Sequence, residues 1–197
     1  MILDKNIQKF VSAFSKLPPL GQKASLRLVF WLYQKHGLID ELVEALLNLK
    51  SLKNCRLCNA PCSSDSCDLC SNATRDKRVV CVVEKLTDAL AIERSQTFNG
   101  VYFFLNGLWA PTKGYHKATL PLSKLKTFLN NMQAQEVILA LPFTLQGDAT
   151  ASLINEELQS LNLKITRLAR GIPKGAEIDQ IDDYTLSFGL KNREREQ

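Results

Sequence analysis

The spacing of apolar residues predicts that the first quarter of the chain is helical. In the first predicted helix, apolar residues recur at helical intervals at Ile7, Phe10, Val11 and Phe14. The segment LPPLG interrupts this period, because proline and glycine favour turns, and a second helical run begins at Gln22. We expect Gly37 to end that helix and residues 38–49 to form a third, amphipathic one. The sequence therefore predicts a helical hairpin within residues 1–53.

From Val79 onwards the pattern changes to short apolar runs that alternate with amphipathic segments. The predicted strands are VVCVVE, VYFFLN, EVILAL and LKITRLA. These runs are short and rich in β-branched residues, which is typical of buried parallel strands. Strands that alternate with helices at this spacing predict a doubly wound α/β sheet over residues 77–170. Residues 171–197 open with turn residues and are predicted to close with a short helix.

Residues 54–76 have no hydrophobic period but contain two CxxC pairs. Cys55 and Cys58 form the first pair, and Cys67 and Cys70 form the second after eight intervening residues. Each CxxC turn brings two thiolates to one side, and four thiolates provide the closed tetrahedral site that structural zinc prefers. We expect one zinc ion per chain. Its binding could supply on the order of 10–16 kcal/mol, enough to fold a segment that has no core of its own.

Other interpretations of the cysteines stay open at this point. An iron–sulfur cluster also uses four thiolates, and two disulfides would need an oxidising compartment. The gap of eight residues is shorter than the commonest spacing between such pairs. Cys62 could compete as a ligand, although its CxxxC spacing after Cys58 fits less well. Cys81, inside VVCVVE, is predicted to be a small buried apolar residue.

Composition and charge narrow the classes of function. No stretch approaches the roughly 18 apolar residues of a membrane span, and the N-terminus lacks the features of a secretory signal, so we expect a cytoplasmic protein. The formal net charge is +5. Residues 1–54 contain eight basic and four acidic residues, whereas residues 171–197 contain four basic and six acidic residues. This imbalance favours a contact with a polyanion through residues 1–54 and a contact with a protein through residues 171–197. The alternative is that these charges are solvated and bind no partner.

The predicted hairpin offers a surface for phosphate. LPPLG between two helices is similar to a helix-hairpin-helix motif, in which backbone N–H groups at a turn and at a helix N-terminus meet phosphate oxygens without reading bases. Lys23 and Arg27 lie four residues apart, hence on one helical face, and could flank that phosphate. We interpret them as DNA-binding residues. The alternative is a structural hairpin with two solvated basic side chains.

In their order along the chain, these motifs resemble the bacterial RecR family of recombination mediator proteins. The shared features are an L-P-x-x-G hairpin turn, four cysteines, VVE at the end of a first strand, and the tail pattern GxPxG…DDxTL. The resemblance runs from about residue 10 to residue 190. Further matching stretches are SNATRD, NGVYFFLNG, QGDATA and ITRLARGIPKGAEID.

The resemblance implies a fold and a function. It implies an α+β protein of several modules, namely a helix-hairpin-helix region (1–53), a four-cysteine zinc finger (54–76), a Toprim α/β domain with a mostly parallel sheet (77–170) and a C-terminal tail with a short helix (171–197). It further implies a nucleoid-associated protein that forms a ring-shaped homotetramer able to encircle DNA. Members of the family work with RecO, and often RecF, to load RecA onto single-stranded or gapped DNA.

The chain departs from the family pattern at three places. The family turn is usually P-G-[IV]-G, but this chain has Pro18-Pro19-Leu20-Gly21, and Pro19 has no N–H to offer a phosphate. Gln146 stands where the family stretch N-P-x-x-E-G-E-A-T-A carries an acid. Gln180 stands where the family usually carries an aromatic residue shortly after the position of Glu177.

The acidic residues predict a protein without catalytic activity. Toprim enzymes hold magnesium with a Glu at the end of the first strand and an Asp-x-Asp pair at the third. Glu84 fits the first position, but Asp148 is the only acid in LPFTLQGD, and magnesium chemistry needs several carboxylates at once. His36 and His116 have no metal-ligand or triad spacing. The alternatives are a magnesium-dependent Toprim nuclease or primase-like enzyme, and a zinc-dependent adaptor that binds only proteins.

The strand ends instead predict a protein-binding surface. Ligands of doubly wound sheets bind in the crevice at the carboxyl ends of the strands. We expect Glu84, Asp88 and Asp148 to face that crevice together with apolar Leu141 and Phe143. Acids among apolar groups suit a basic protein partner, and we interpret these three acids as partner-binding residues for a RecO-type protein.

Overall fold

The computed structural model describes residues 3–110 and 119–193 of the 197-residue chain. The chain divides into two units, Met1–Leu52 and Lys53–Gln197. His116 lies outside the described residues. In the described part of the chain, no helix combines the length and the apolar character that a membrane crossing requires.

The first unit contains three helices. They are α1 (Lys5–Phe14), α2 (Gln22–Tyr33) and α3 (His36–Ser51). Asp4 caps α1, because its side chain accepts a hydrogen bond of 2.7 Å from the backbone N–H of Asn6. Phe10 and Phe14 lie one helical turn apart and stack with 4.0 Å between ring centroids. The predicted helical hairpin corresponds to α1, the turn that contains the two prolines, and α2.

The predicted end of the second helix at Gly37 was wrong. The helix ends at Tyr33, and Gly37 is the second residue of α3. The backbone N–H groups of Gln34 and Lys35 bond back to the carbonyls of Trp31 and Leu32, which closes α2 without a glycine. Lys35 then leaves the helical conformation, with φ −128° and ψ 59°, and α3 begins immediately after it.

The second unit opens with a small module that carries the cysteine pairs. A two-stranded antiparallel hairpin joins β1 (Lys53–Asn54) to β2 (Pro61–Cys62), and a single helical turn, α4 (Asp68–Ser71), follows. The remaining elements are β3 (Asp76–Val83), α5 (Leu86–Arg94), β4 (Gly100–Phe104), α6 (Leu122–Met132), β5 (Glu136–Ala140), α7 (Leu145–Leu158), β6 (Lys164–Arg167), a 3₁₀ turn (Ile178–Gln180) and α8 (Asp183–Lys191).

Strands β3 to β6 form one parallel sheet in the order β4-β3-β5-β6. This confirms the α/β prediction. Val83, at the end of the central strand, pairs with Phe104 on one side and with Ala140 on the other. After β3 the chain therefore forms β4 on one side of β3, and it then crosses over to form β5 on the other side. A reversal of this kind opens a crevice at the carboxyl ends of the strands.

Apolar burial holds the sheet to its helices. The largest fully buried side chains include Tyr102, Phe103, Phe104, Phe128, Leu125, Leu129, Ile154 and Leu158. The rings of Phe103 on β4 and Phe128 on α6 lie 5.5 Å apart between centroids. Full burial of one such side chain stabilises the fold by about 1.5–3 kcal/mol, and the same buried cluster also includes the four cysteines of the module.

A partly buried ion pair fastens the exit of the cysteine module to the sheet. Arg75 donates to Glu93 through both guanidinium nitrogens, at 3.0 and 2.6 Å, and to the carbonyl of Gly100 at 2.8 Å. The hydroxyl of Tyr102 donates to the same carboxylate at 2.7 Å. The hydrogen bond from Arg75 lowers the pKa of Glu93, so this carboxylate stays charged at neutral pH. Three elements thus meet at one guanidinium.

We expect Glu93→Gln to lower the free energy of unfolding by about 2 kcal/mol, because the charge-assisted bonds to a largely buried arginine are weakened. Urea denaturation at neutral pH measures this change. Asp65→Asn is the matched control, since Asp65 pairs with Arg56 on the surface with 71% and 78% of the side chains exposed. The control should cost less than about 1 kcal/mol. Equal effects of the two substitutions would contradict the assignment.

Candidate functional site

Four thiols converge in the cysteine module. The sulfur atoms of Cys55, Cys58, Cys67 and Cys70 all lie within 4.8 Å of one another, and all four residues are buried. The Sγ atoms of Cys58 and Cys67 are 3.4 Å apart, and those of Cys55 and Cys70 are 4.0 Å apart. A tetrahedral zinc ion with Zn–S bonds of about 2.3 Å would hold its sulfurs roughly 3.8 Å apart. The four-cysteine cluster therefore fits a closed, structural zinc site.

The backbone around each pair turns tightly enough to bring its two thiols together. In the first pair, the N–H of Cys55 donates to Ala60 at 2.7 Å, and the N–H of Asn59 donates to Cys55 at 3.1 Å. Asn59 has φ 68°, a left-handed conformation that asparagine tolerates better than most residues. In the second pair, the N–H of Cys70 donates to the carbonyl of Cys67 at 3.0 Å, which starts α4.

Hydrogen bonds among the thiols separate their pKa values. Those from Cys58 and Cys70 lower the pKa of Cys67 to about 2, and the bond with Cys67 raises the pKa of Cys58. A negative sulfur is thus already stabilised inside the cluster. A cation would favour the thiolate form of the whole set, with protons as its competitors.

The two remaining cysteines lie in different surroundings. Cys62 is partly exposed, and its thiol donates to the carbonyl of Ser64 at 2.9 Å. It does not belong to the group of four. Cys81 is only 2% exposed in β3, as predicted, and burial raises the pKa of its thiol to about 12.

A crevice of about 450 Å³ lies at the carboxyl end of β3. Its lining residues are Glu84, Lys85, Asn106, Gly107, Leu108, Ala110 and Gln146. Glu84 directly follows the last residue of β3, and Gln146 is the second residue of α7. The polar side chains among the described lining residues are one carboxylate, one ammonium group and two amides. This lining is poor in the carboxylates that magnesium requires.

Gln146 reaches the crevice because α7 begins very close to the preceding segment. The side chain of Thr144 caps α7 by accepting a hydrogen bond of 3.2 Å from the N–H of Gly147. A Cβ atom at Gly147 would lie 1.9 Å from the carbonyl oxygen of Pro142. The glycine is therefore required for this close approach, which brings the first turn of α7 to the strand ends.

Of the three acids predicted to face the crevice, Glu84 lines it. Asp88 instead accepts a hydrogen bond of 3.1 Å from the backbone N–H of Lys85 and caps α5. Asp148 accepts hydrogen bonds from Arg167 at 2.8 Å and from Arg170 at 2.9 Å. The bond from Arg167 lowers the pKa of Asp148. Two guanidinium groups thus offset the charge of Asp148, and the strand ends are less acidic than the sequence indicated.

Arg170 was missed by the sequence analysis, although it organises the contact between α7 and α8. Its guanidinium lies 4.7 Å from the ring centroid of Phe143, 5.5 Å from that of Tyr184 and 5.9 Å from that of Phe188. It also donates a hydrogen bond to the hydroxyl of Tyr184. The only available signal was a pair of arginines three residues apart, one inside the last predicted strand and the other, Arg170, directly after it.

Lys23 and Arg27 lie in the first unit, exposed on α2. Their spacing of four residues places them on one face of that helix. Gly21 precedes α2 in an extended conformation, and no acidic residue lies in the first turn. The helix N-terminus and two cations therefore form a surface that can accept phosphate oxygens. Pro19, in the turn before it, offers no N–H donor.

Comparisons with known proteins agree with this arrangement. The model of the Toprim domain matches residues 78–169. The recombination protein RecR of Chloroherpeton thalassium is 37% identical, with 95% of this chain and 95% of the relative covered. RecR of Herpetosiphon aurantiacus is 36% identical over 98% of this chain and 95% of the relative. RecR of Dehalococcoides mccartyi is 35% identical over 95% of this chain and 93% of the relative.

Proposed function

This chain belongs to the RecR family of recombination proteins, and we propose that it is a non-enzymatic DNA-binding mediator that helps to load RecA onto gapped or single-stranded DNA. The observation that carries the proposal is similarity over nearly the whole chain, at 35–37% identity to the three relatives named above. The expected partners are DNA, a RecO-type protein and a RecF-type protein, at the nucleoid in the cytoplasm.

The DNA contact is proposed at the N-terminus of α2. Lys23 and Arg27 are exposed there, beside backbone N–H groups that no acidic side chain occupies. Lysine, arginine and helix N-termini all bind phosphate oxygens, which carry no base information. This supports binding to single-stranded, double-stranded or gapped DNA without preference for sequence.

A homo-oligomer is supported by the apolar surface of the first unit. The exposed large apolar side chains of α2 and α3 are Phe30, Trp31, Tyr33, Leu42, Val43, Leu46, Leu47 and Leu49. A concentration of exposed apolar groups marks an interaction surface, and copies of one chain assemble with closed symmetry. We propose that further copies cover this surface in a ring tetramer.

The structural ion is proposed to be zinc, held by Cys55, Cys58, Cys67 and Cys70. Support comes from the sulfur–sulfur distances of 3.4 and 4.0 Å and from the burial of all four residues. A set of four thiolates leaves no coordination position for water, so the ion would stabilise the fold and take no part in chemistry.

The partner contact is proposed at the crevice. Glu84 supplies its carboxylate, whereas Asp88 caps α5 and Asp148 on α7 is paired with Arg167 and Arg170, so among the three predicted acids the proposal rests on Glu84. Apolar groups accompany them, since Phe143 is 47% exposed and Leu145 is 87% exposed. Acidic and apolar groups together suit a basic protein segment, and we assign this surface to the RecO-type partner.

The zinc proposal predicts about one zinc ion per chain in freshly purified protein, measured by elemental analysis. Cys67→Ser should lower the zinc content and the solubility, because a three-thiolate set no longer closes the site. Cys62→Ser is the matched control and should retain the ion, since Cys62 lies outside the group of four. Protein without zinc, or with the absorption band of an iron–sulfur cluster, would rule the proposal out.

The DNA proposal predicts that Lys23→Ala and Arg27→Ala each weaken binding on every sequence tested. Each should also lower the slope of log affinity against log salt by roughly one, because one phosphate contact is lost. Gel shifts with gapped DNA at several salt concentrations measure both quantities. Lys77→Ala, at an exposed lysine of the second unit, is the control. Unchanged affinity of both variants at low salt would place the phosphate contact elsewhere.

The crevice proposal predicts that Glu84→Ala weakens binding of a RecO-type protein while DNA affinity and zinc content stay the same. Glu156→Ala, at an exposed acid of α7, is the control that should change none of these. Calorimetry or surface plasmon resonance measures the partner affinity. Cleavage or extension of DNA by the wild-type protein with magnesium, lost in Glu84→Ala, would show an enzyme instead of a mediator.

A further inference from the structure

The loop at residues 55–60, here named the first knuckle, covers the outer edge of β4. The N–H of Phe104 donates to the carbonyl of Cys58 at 2.9 Å, and the side-chain amide of Asn59 donates to the carbonyl of Phe104 at 3.0 Å. Among the described strands β4 lies at the edge of the sheet, so on that side these backbone groups have no described strand to pair with. The loop that carries two of the thiols therefore completes the hydrogen bonding of the sheet.

Lys124 holds the same loop from α6. Its ammonium group donates to the carbonyl of Cys55 at 2.8 Å and to the side-chain oxygen of Asn59 at 3.2 Å. The second cysteine pair is held differently, because Cys70 and Ser71 bond to the carbonyl of Cys67 within their own turn. The first knuckle is thus hydrogen-bonded to the end of β4 and to α6, at a place separate from the contact of Arg75 with the start of β4.

Asn106 connects the first knuckle to the crevice. Its side-chain amide donates to the carbonyl of Asn59 at 2.9 Å, and its backbone N–H donates to the carbonyl of Glu84 at 2.8 Å. Asn106 and Glu84 both line the crevice. Asn59 directly follows Cys58, so a short chain of bonds leads from a cluster thiol to the crevice wall.

We propose that Asn59 and Asn106 are positioning residues that make the shape of the crevice depend on the first knuckle, so that metal binding at the four thiols controls binding of the basic protein partner. The inference rests on the proposed partner contact at Glu84. The sheet is held by its own strand pairing, β3 with β4 and β3 with β5, which does not involve these bonds, so the crevice wall can move while the sheet stays folded. The metal site is then structural in its chemistry but regulatory in its effect.

Asn59→Gly tests the proposal in the full chain. Glycine accepts the positive φ of this position and removes both side-chain hydrogen bonds, while all four thiols remain. Asn72→Gly is the matched control in the same module, because within the described residues the Asn72 side chain accepts hydrogen bonds from Thr74 alone, at 2.9 and 2.7 Å. The measurements are zinc content, amide hydrogen exchange of residues 104–108 and affinity for the purified RecO-type partner.

In Asn59→Gly we expect zinc to be retained, exchange at residues 104–108 to rise roughly tenfold, and partner affinity to fall by a similar factor, as two lost hydrogen bonds imply. The control should match the wild type in all three. Unchanged exchange in zinc-loaded Asn59→Gly would overturn the coupling. Faster exchange with unchanged partner affinity would overturn the control of partner binding, provided that Glu84→Ala does weaken the partner.

Failure of the crevice proposal and loss of zinc from Asn59→Gly can each be distinguished from failure of the coupling. If Glu84→Ala leaves partner affinity unchanged, the proposed function of the crevice fails, but the exchange measurement still decides whether the knuckle positions its wall. If Asn59→Gly loses its zinc, Lys124→Met replaces it, because this variant breaks the bonds to Cys55 and Asn59 from α6 and leaves the knuckle sequence intact. Zinc-loaded Lys124→Met with wild-type exchange at residues 104–108 would equally overturn the coupling.

Discussion

The convergence of four sulfur atoms is the constraint on which the cysteine module and the crevice wall depend. The module at residues 53–76 has two strands of two residues and one four-residue helical turn, and the four thiols provide most of its buried side chains. A segment of this kind cannot fold through apolar burial alone. Its position nevertheless decides where two parts of the sheet lie, since Arg75 anchors its exit and Cys58 pairs with the edge of β4.

The order of the strands places a crevice at the carboxyl ends of β3 and β4, next to the anchored module. The order β4-β3-β5-β6 brings the ends of β3 and β4 and the start of α7 around one crevice. An enzyme of the Toprim class would place several carboxylates there, but this chain has Glu84 with Lys85 and Gln146. Arg167 and Arg170 neutralise Asp148 nearby. The described lining therefore lacks the several carboxylates that a divalent cation requires.

Local patterns in the sequence predicted the elements and the thiol cluster, because each depends on short spacing. The CxxC turns, the apolar strands and the helices of the sheet domain follow from residues within one or two turns of each other. The end of α2 was mispredicted, since hydrogen bonds of Gln34 and Lys35 close that helix before Gly37. Asn59 and Asn106 carried no recognisable signal, because their contact joins residues 47 positions apart.

The environment of Asp148 could not be predicted from the sequence either, because it too depends on contacts between residues that are far apart in the chain. Its arginine partners are the last residue of β6 and the residue three positions beyond it, 19 and 22 residues after Asp148, and the parallel pairing of β5 with β6 brings them close. From the sequence, Asp148 was predicted to be an unpaired acid. In the fold it pairs with Arg167 and Arg170, and Arg170 in turn contacts the aromatic side chains of α8. The net charge around Asp148 therefore depends on which distant residues the fold brings next to it, and the number of acids in the local sequence does not reveal this.

Hydrogen exchange of the zinc-loaded and the metal-stripped wild-type chain tests the central claim most directly. Removal of the ion with a chelator should speed amide exchange at residues 55–60 and 104–108, while Val80–Val83 in the buried central strand stay protected. That result would show that the four-thiol site holds the crevice wall and that the sheet stands on its own core. Uniform loss of protection through the sheet, or unchanged exchange at residues 104–108, would contradict it.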